Sequence, residues 1–468
     1  MYIYDSVKKE KLKFESIVPN EVKLYVCGPT VYDNAHLGHA KSALVFDLLK
    51  RVLEANGYSV TYARNITDID DKIINKSIEL GVTISELTSK YIDLYHEEMG
   101  QLGVLKPDIE PRATESIEAM TYLIEKLIQN NHAYVSEDGD VYFDTQSDSK
   151  YLSISSNHQD SDDTQSRVES STCKRNQSDF ALWKATKDET ISFDSKYSKG
   201  RPGWHLECSA MIEKHLSTPN STYSIDIHGG GADLLFPHHE NEAAQSRCAT
   251  NHELSKYWMH NGFVNIDGMK MSKSLGNSFF LKDALKSYSG EVLRYYLLST
   301  HYRADFNFNE EDLIASKKRL DKIYRLKKRV FGMSNPEIKT TFMEKLLESL
   351  SNDLNISESL ALIDEMISDL NEKLDSNAKD KVAKKEILSN LAYIETILGF
   401  GADNPYEYFQ YGVDEDVKNS INTLIIERAN AKKEKDFETS DKIRDKILRL
   451  GVNIMDTPQG TFWEKIEG

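Results

Sequence analysis

The sequence predicts an α/β protein, a parallel sheet broken by an insertion and followed by a helical region. Three observations carry this. Apolar residues alternate between positions 22 and 26, then recur at helical spacing between 45 and 52. A second strand-then-helix pattern resumes near Gly203. From Glu310 to about Phe400 the chain is nearly free of proline and reads as helix. Each element follows in order. Val22, Leu24 and Val26 alternate with Lys23 and Tyr25 as a strand does, and Gly28-Pro29 ends it. Val45, Leu48, Leu49 and Val52 share one helical face, with Gly57 as the stop. Ser59 to Ala63 is the next strand. Such a crossover makes the sheet parallel and puts ligands at the carboxyl ends of its strands.

Residues 116–195 read as the insertion. Tyr134-Val135 and Val141-Tyr142-Phe143 flank Asp138-Gly139, a hairpin signal. Ser147 to Thr172 is too rich in Ser, Asp, Asn and Gln to bury, and reads as a mobile surface loop. Tyr223 to His228 is a strand, followed by Gly229-Gly230-Gly231 and a helix from about Pro237.

The chain has 468 residues and a formal net charge of −17. That speaks against a global coat of positive charge for a phosphate backbone, and leaves local basic faces open. No uncharged apolar run approaches the ~18–20 residues a bilayer requires. The lysines at 8, 9, 11 and 13 precede no apolar run, so the N-terminus is not read as a secretory signal. Four cysteines, Cys27, Cys173, Cys208 and Cys248, make no disulfide framework, and a reducing cytoplasm fits.

Two short motifs carry chemistry. His36-Leu37-Gly38-His39 opens the first helix. Free N–H groups and a partial positive charge bind phosphate there, and Gly38 lets backbone approach a nucleotide base. Two packed or surface histidines satisfy the same pattern. Lys270-Met271-Ser272-Lys273-Ser274 lies between Gly268 and Gly276, a loop with permissive ends. Its two lysines could close over a triphosphate and stabilise a pyrophosphate leaving group, although a solvated basic turn fits as well. The two motifs stand in this order about 230 residues apart. Together they resemble the H-I-G-H and K-M-S-K-S signatures of class I aminoacyl-tRNA synthetases, whose catalytic domain is a Rossmann fold.

A third constellation is metal-like. Cys27 ends the first strand, Cys208 follows Gly203-Trp204-His205-Leu206-Glu207, and His238 and Glu242 share a helical face. Two sulfurs, an imidazole and a carboxylate suit Zn²⁺. Buried cysteines and a common His-x-x-x-Glu spacing fit the same residues.

Longer stretches narrow the resemblance. Tyr25-Val26-Cys27-Gly28-Pro29-Thr30-Val31-Tyr32-Asp33, Arg64-Asn65-Ile66-Thr67-Asp68-Ile69-Asp70-Asp71-Lys72-Ile73, Arg201 to Met211, Phe236 to Glu242 and Asp456 to Trp463 are similar to the cysteinyl-tRNA synthetase family. The resemblance implies six units: a Rossmann catalytic domain over 1–115 and 196–250, a connective insertion over 116–195, and a stem-contact region with the lysine loop over 251–310. A tRNA-bracing helical bundle over 311–400 and an anticodon-binding domain over 401–468 complete them.

It further implies one Zn²⁺ per chain on Cys27, Cys208, His238 and Glu242, binding the substrate thiolate, and Mg²⁺ with ATP. His36 and His39 would meet the ATP phosphates, and Lys270 and Lys273 the β- and γ-phosphates. Gly38, Gly230, Gly231 and Asp233 would neighbour the nucleotide. Trp204 and His205 would wall the amino-acid pocket, with a core role open for Trp204. Thr67 and Asp68 would hold the ammonium. Cys173, Cys248, His239 and Glu240 are expected to stay off the metal.

The implied partners are ATP, L-cysteine and tRNA(Cys), bound by a monomer without a membrane. A metal separates a thiol from a hydroxyl by chemistry, where size alone separates them weakly. Two rivals are an amino-sugar ligase using the same activation, which would lack residues 401–468, and a silent RNA-binding paralogue. For tRNA contact, eight basic residues stand against one acidic between Lys317 and Arg329, and eight against five between Arg428 and Arg449. Phe462 and Trp463 are candidates for base stacking, with a core role equally open.

Overall fold

The computed structural model describes residues 1–155, 173–186, 191–266, 269–270, 279–334, 338–457 and 459–466. A short antiparallel hairpin, β1 (Tyr2–Asp5) and β2 (Glu10–Lys13), precedes the main sheet. Strand β3 (Glu21–Val26), helix α1 (Leu37–Ala55) and strand β4 (Ser59–Arg64) form the expected crossover, with Val22 opposite Val60. The helix stops where expected: Asn56 caps it, and Gly57 takes φ +89°, a backbone value that favours glycine. Helices α2 (Asp71–Leu80), α3 (Ile84–Gln101) and α4 (Ile117–Gln129) follow.

The insertion is a four-stranded antiparallel sheet of β5 (Ala133–Val135), β6 (Val141–Phe143), β7 (Phe180–Ala185) and β8 (Gly200–Pro202). Its last strand runs past the expected boundary at 195. Of the Ser-rich stretch, residues 156–172 lie outside the described residues. Strand β9 (Tyr223–Gly231) and strand β10 (Glu253–Asn261) complete the main sheet in the order β10-β9-β3-β4, all parallel. The chain leaves β3 and β9 toward opposite sides, and a crevice forms at the carboxyl ends of these two neighbours.

Both faces of the sheet are buried. Leu24, Val26, Ile227 and Met259 face α1, where Leu44, Leu48 and Leu49 are sealed from solvent. Tyr25 and Ala63 face α4 and the helix Trp204–His215 through Leu123, Leu206 and Met211. Fully burying each of the leucine, isoleucine, valine and methionine side chains contributes about 1.5–3 kcal/mol. Gly229 is glycine for room, since a Cβ there would sit 2.2 Å from the Phe46 ring.

A small sheet of β11 (Val264–Ile266), β12 (Met269–Lys270) and β13 (Phe306–Phe308) leads into the helical region. Helices Glu310–Lys328, Thr341–Leu350, Ile356–Ser376 and Lys381–Leu398 pack as the expected bundle. Beyond it, helices Glu415–Lys433 and Phe437–Arg449 and the hairpin β14 (Val452–Thr457)/β15 (Gly460–Lys465) enclose a separate small core.

The structure changes the reading of the basic runs. Lys327 donates to the carbonyls of Gly401, Ala402 and Asp403 at 2.6, 3.1 and 2.9 Å. Lys328 pairs with Glu464, Lys317 with Asp321, Lys322 with Asp364 and Arg329 with Asp375. Arg325 lies over the Phe409 ring. Much of the run at 317–329 therefore holds the bundle together and ties it to the C-terminal region. Arg428 and Lys432 likewise converge on Asp456. Residues just past 401 belong to the bundle, because Tyr408 stacks on Tyr324 at 3.8 Å and donates to Asp321 at 2.8 Å. Phe462 stacks on Tyr406 at 4.0 Å, and Trp463 is buried with its indole N–H on Asn422. Both fill structural roles.

Candidate metal centre and nucleotide crevice

Four elements bring the metal-type residues together. Cys27 follows β3, Cys208 lies on helix Trp204–His215, His238 lies in the tight turn Leu235–His239, and Glu242 lies on helix Glu240–Thr250. All four side chains are buried. Cys27 Sγ is 3.7 Å from Cys208 Sγ and 3.5 Å from Glu242 Oε1. Cys208 Sγ is 3.6 Å from His238 Nε2, and His238 Nε2 is 2.8 Å from Glu242 Oε1. Zinc bond lengths in a tetrahedron require edges of about 3.8 Å between sulfurs, 3.5 Å between sulfur and nitrogen, and 3.4 Å between nitrogen and oxygen. The sulfur edges already match, and the His238–Glu242 edge is short, as a direct hydrogen bond makes it.

Charge is arranged around these atoms. Burial pushes the Glu242 carboxyl up, but His238 and His228 overcome it and hold the group well below the carboxylate range. Burial and the facing Cys208 push Cys27 up. Cys208 is drawn down to about 6, because the Cys27 thiol and His238 outweigh its burial.

A second layer was not singled out in the sequence. His228 Nε2 lies 2.7 Å from the other Glu242 oxygen. His239 Nε2 lies 3.3 Å from Cys27 Sγ, and its Nδ1 lies 2.8 Å from His260 Nε2. The expectation that His239 faces away is therefore corrected. His239 stands three residues and His238 four before Glu242, and the backbone from His239 onward is helical, so both adjacent imidazoles share the Glu242 face and enter the site. Cys27, His228, His239 and Glu242 thus form an alternative donor set. The set with two sulfurs has the softer donors that suit zinc. Glu240 does face away, accepting N–H groups from Leu152, Ile154 and Ser155 of the insertion. The signal for His228 was present: a histidine alternating with Ile225 and Ile227 at the carboxyl end of a strand.

The nucleotide motif follows Cys27 on the same connection, between the carboxyl end of β3 and α1. His36 is the N-cap of α1, its Nδ1 accepting from Gly38 N at 3.1 Å. His39 Nδ1 accepts from His36 N at 3.3 Å, and the rings stack at 3.8 Å. With both Nδ1 atoms accepting, the neutral rings carry their protons on Nε2. Gly230 and Gly231 end β9 rather than following it. A Cβ on Gly230 would sit 3.0 Å from the His239 ring, and one on Gly231 2.5 Å from Asp233 Oδ1. Lys270 pairs through its backbone with Asn265, and Lys273 lies outside the described residues.

A cleft of about 310 Å³ opens next to the metal-type residues, with Trp204, His205, Phe180 and Phe236 in its wall. Trp204 stacks on His238 at 4.2 Å, and His205 Nδ1 lies 3.0 Å from His238 Nδ1. Both residues therefore line this cleft. Thr67 is buried and donates to Glu207 at 2.7 Å. Asp68 accepts from Thr114 N and Oγ1 at 2.9 and 2.6 Å, which turns its carboxylate to a structural task. Cys248 is buried, Cys173 is exposed, and neither is in a donor cluster among the described residues.

Comparison with known proteins gives the family. The model of the class I (C) tRNA synthetase catalytic domain matches residues 13–318. The chain is 68% identical over 466 residues to the cysteine–tRNA ligase of Sulfurimonas denitrificans, covering 100% of both. The chain belongs to the cysteine–tRNA ligase family. It is 55% identical to the cysteine–tRNA ligase of Helicobacter pylori strain P12, again over 100% of both chains. The cysteinyl-tRNA ligase anticodon-binding domain matches residues 414–463. The ligase also shares its fold with more distant structures. The Mycobacterium tuberculosis methionyl-tRNA synthetase superposes with TM-score 0.59 at 13% identity, covering 81% of this chain and 92% of that one. The LeuRS of Agrobacterium radiobacter K84 does so with TM-score 0.59 at 12% identity, covering 86% of each. The ligase contains no helix long and apolar enough to cross a membrane among the described residues.

Proposed function

We propose that this ligase activates L-cysteine with ATP and Mg²⁺ and transfers it to the 3′-terminal adenosine of tRNA(Cys), selecting cysteine at a zinc ion on Cys27, Cys208, His238 and Glu242. One observation carries the reading: two thiols, an imidazole and a carboxylate converge, buried, with sulfur edges of zinc-site length. When bound, zinc supplies a thiophilic Lewis acid that favours a thiol over a hydroxyl.

The chain's own residues do the rest. His228 holds the second Glu242 oxygen and so fixes the carboxylate's orientation. Trp204 and His205 pin the His238 ring and narrow the pocket. His36 and His39 present Nε2–H donors toward phosphate charge at the start of α1. Lys270 and Lys273 hold the terminal phosphates as pyrophosphate departs. The cysteine carboxylate attacks the α-phosphorus itself, so no protein nucleophile is required. Gly38, Gly230, Gly231 and Asp233 border the nucleotide. The match over 414–463 supports tRNA over an amino-sugar acceptor. The unlinked Cys27 and Cys208 are consistent with a reducing cytoplasm.

The test is Cys208→Ser, read by elemental zinc content and cysteine-dependent pyrophosphate exchange, with serine as the control amino acid. Zinc occupancy should fall and the cysteine KM should rise. Full occupancy with an unchanged KM would remove Cys208 from the ligand set.

A further inference from the structure

We propose that Glu207 is a positioning residue for the substrate's α-ammonium group, acting through Thr67. The inference rests on the reading above, in which the substrate thiol docks at the Cys27–Cys208 site. Glu207 is 1% exposed and forms no ion pair among the described residues. With no cation beside it, its carboxyl group acts through the hydrogen bond it accepts from Thr67.

The hydrogen bonds give direction. Thr67 Oγ1 donates to Glu207 Oε2 at 2.7 Å, which commits the hydroxyl proton. Asn65 Nδ2 donates to Thr67 Oγ1 at 3.3 Å, leaving one further acceptor direction on that hydroxyl. An ammonium, which only donates, fits that direction.

The network is anchored to the metal-type residues. Asn65 Oδ1 accepts from Gly28 N at 2.8 Å and lies 3.8 Å from Cys208 Sγ. Glu207 and Cys208 are consecutive on one helix. The Thr67 backbone is locked, its N–H on Pro29 O and its carbonyl on Val31 N, at 3.1 and 3.2 Å. In cysteine the nitrogen and sulfur are three bonds apart, so a thiol fixed at Cys208 keeps the ammonium near this wall. Glu207 thus sets which way Thr67 points, and Thr67 meets the substrate.

The experiment is calorimetric binding to zinc-loaded protein, using L-cysteine and 3-mercaptopropionate, which keeps the thiol and carboxylate and lacks the ammonium. Glu207→Ala should weaken L-cysteine by roughly tenfold or more, the scale of one charge-assisted hydrogen bond. It should change 3-mercaptopropionate by less than about twofold. Glu207→Gln, which still accepts from Thr67, should restore part of the loss. Thr67→Val should show the same selective loss, and carries the test if Glu207→Ala does not fold. Equal loss for both ligands at full zinc content, or no loss for L-cysteine, overturns the proposal. Zinc removal from the unaltered protein separates the two readings. It should weaken both thiols, and if it weakens neither, the zinc reading fails while the ammonium selectivity is still scored.

Discussion

Asp47→Ala should destabilise this protein by about 3–5 kcal/mol, the cost of leaving a buried charge without its partner. Asp47 on α1 and Arg294 on helix Gly290–Leu298 form an ion pair in which both side chains are 0% exposed. Arg294 also donates to Leu398 O at 2.6 Å and to the carbonyls of Leu102 and Gly103 at 3.3 and 3.1 Å. Asp47 further accepts from Leu105 N at 2.8 Å and pairs with Arg51 at 2.9 Å. The pair therefore joins the helix that begins at His36 to the end of the bundle. Removing the carboxylate strands a guanidinium that cannot give up its proton.

Urea unfolding followed by tryptophan fluorescence measures the loss. Pyrophosphate exchange should fall as well, because α1 carries both histidines of the nucleotide motif. The double variant Asp47→Leu/Arg294→Met removes both charges together and should recover most of the stability. A loss below about 1 kcal/mol for Asp47→Ala would refute the reasoning, since the pair would then be no better than an exposed one.

Other expectations follow from named groups. Burial raises Glu98 to about 7, and neither of its oxygens has a hydrogen-bond partner among the described residues. An acid raised in the fold costs stability as pH climbs from its unfolded value near 4.3 through its folded one. Glu98→Gln should therefore gain stability relative to the parent as pH rises from 4.5 to 8, and parallel denaturation curves at the two pH values would count against it. Asp456 is depressed by hydrogen bonds from Arg428, Lys432 and Thr461. Its contribution is present above its unfolded value near 3.9 and lost as pH falls below it. Asp456→Asn should flatten the acid-induced loosening of the C-terminal module, monitored by the buried Trp463. Truncation after residue 413 should spare pyrophosphate exchange and cut tRNA charging. Truncation after residue 400 should also destabilise the bundle, because it removes the Tyr408–Tyr324 stack, a difference that thermal unfolding reads directly.

Much of the fold and site was legible because short-range patterns record it. Alternation gave β3, helical spacing gave α1, and Gly57 marked its end. His36, His39, Cys27, Cys208, His238 and Glu242 were named from residue type, order and family resemblance. These signals survive in one dimension because the residues next to a ligand are constrained in kind. The layer behind them is constrained only in space. His239, expected to face away, touches Cys27: it sits three residues before Glu242 on a helical backbone, and only the fold brings Cys27 to that face. Glu207 was invisible as a partner of Thr67, since 140 residues separate them along the chain.

The basic runs mark the same boundary most sharply. The sequence determined that positive charge is concentrated at 317–329 in a chain of net charge −17. It also determined the class of chemistry, through the order of its motifs. Only the tertiary structure decided where that charge points: Lys327 to backbone carbonyls, Lys328 to Glu464, Arg329 to Asp375. The reason is physical. A charge count adds up residues wherever they lie, whereas an electrostatic interaction depends on which opposite charge or dipole is folded within a few ångström of each one.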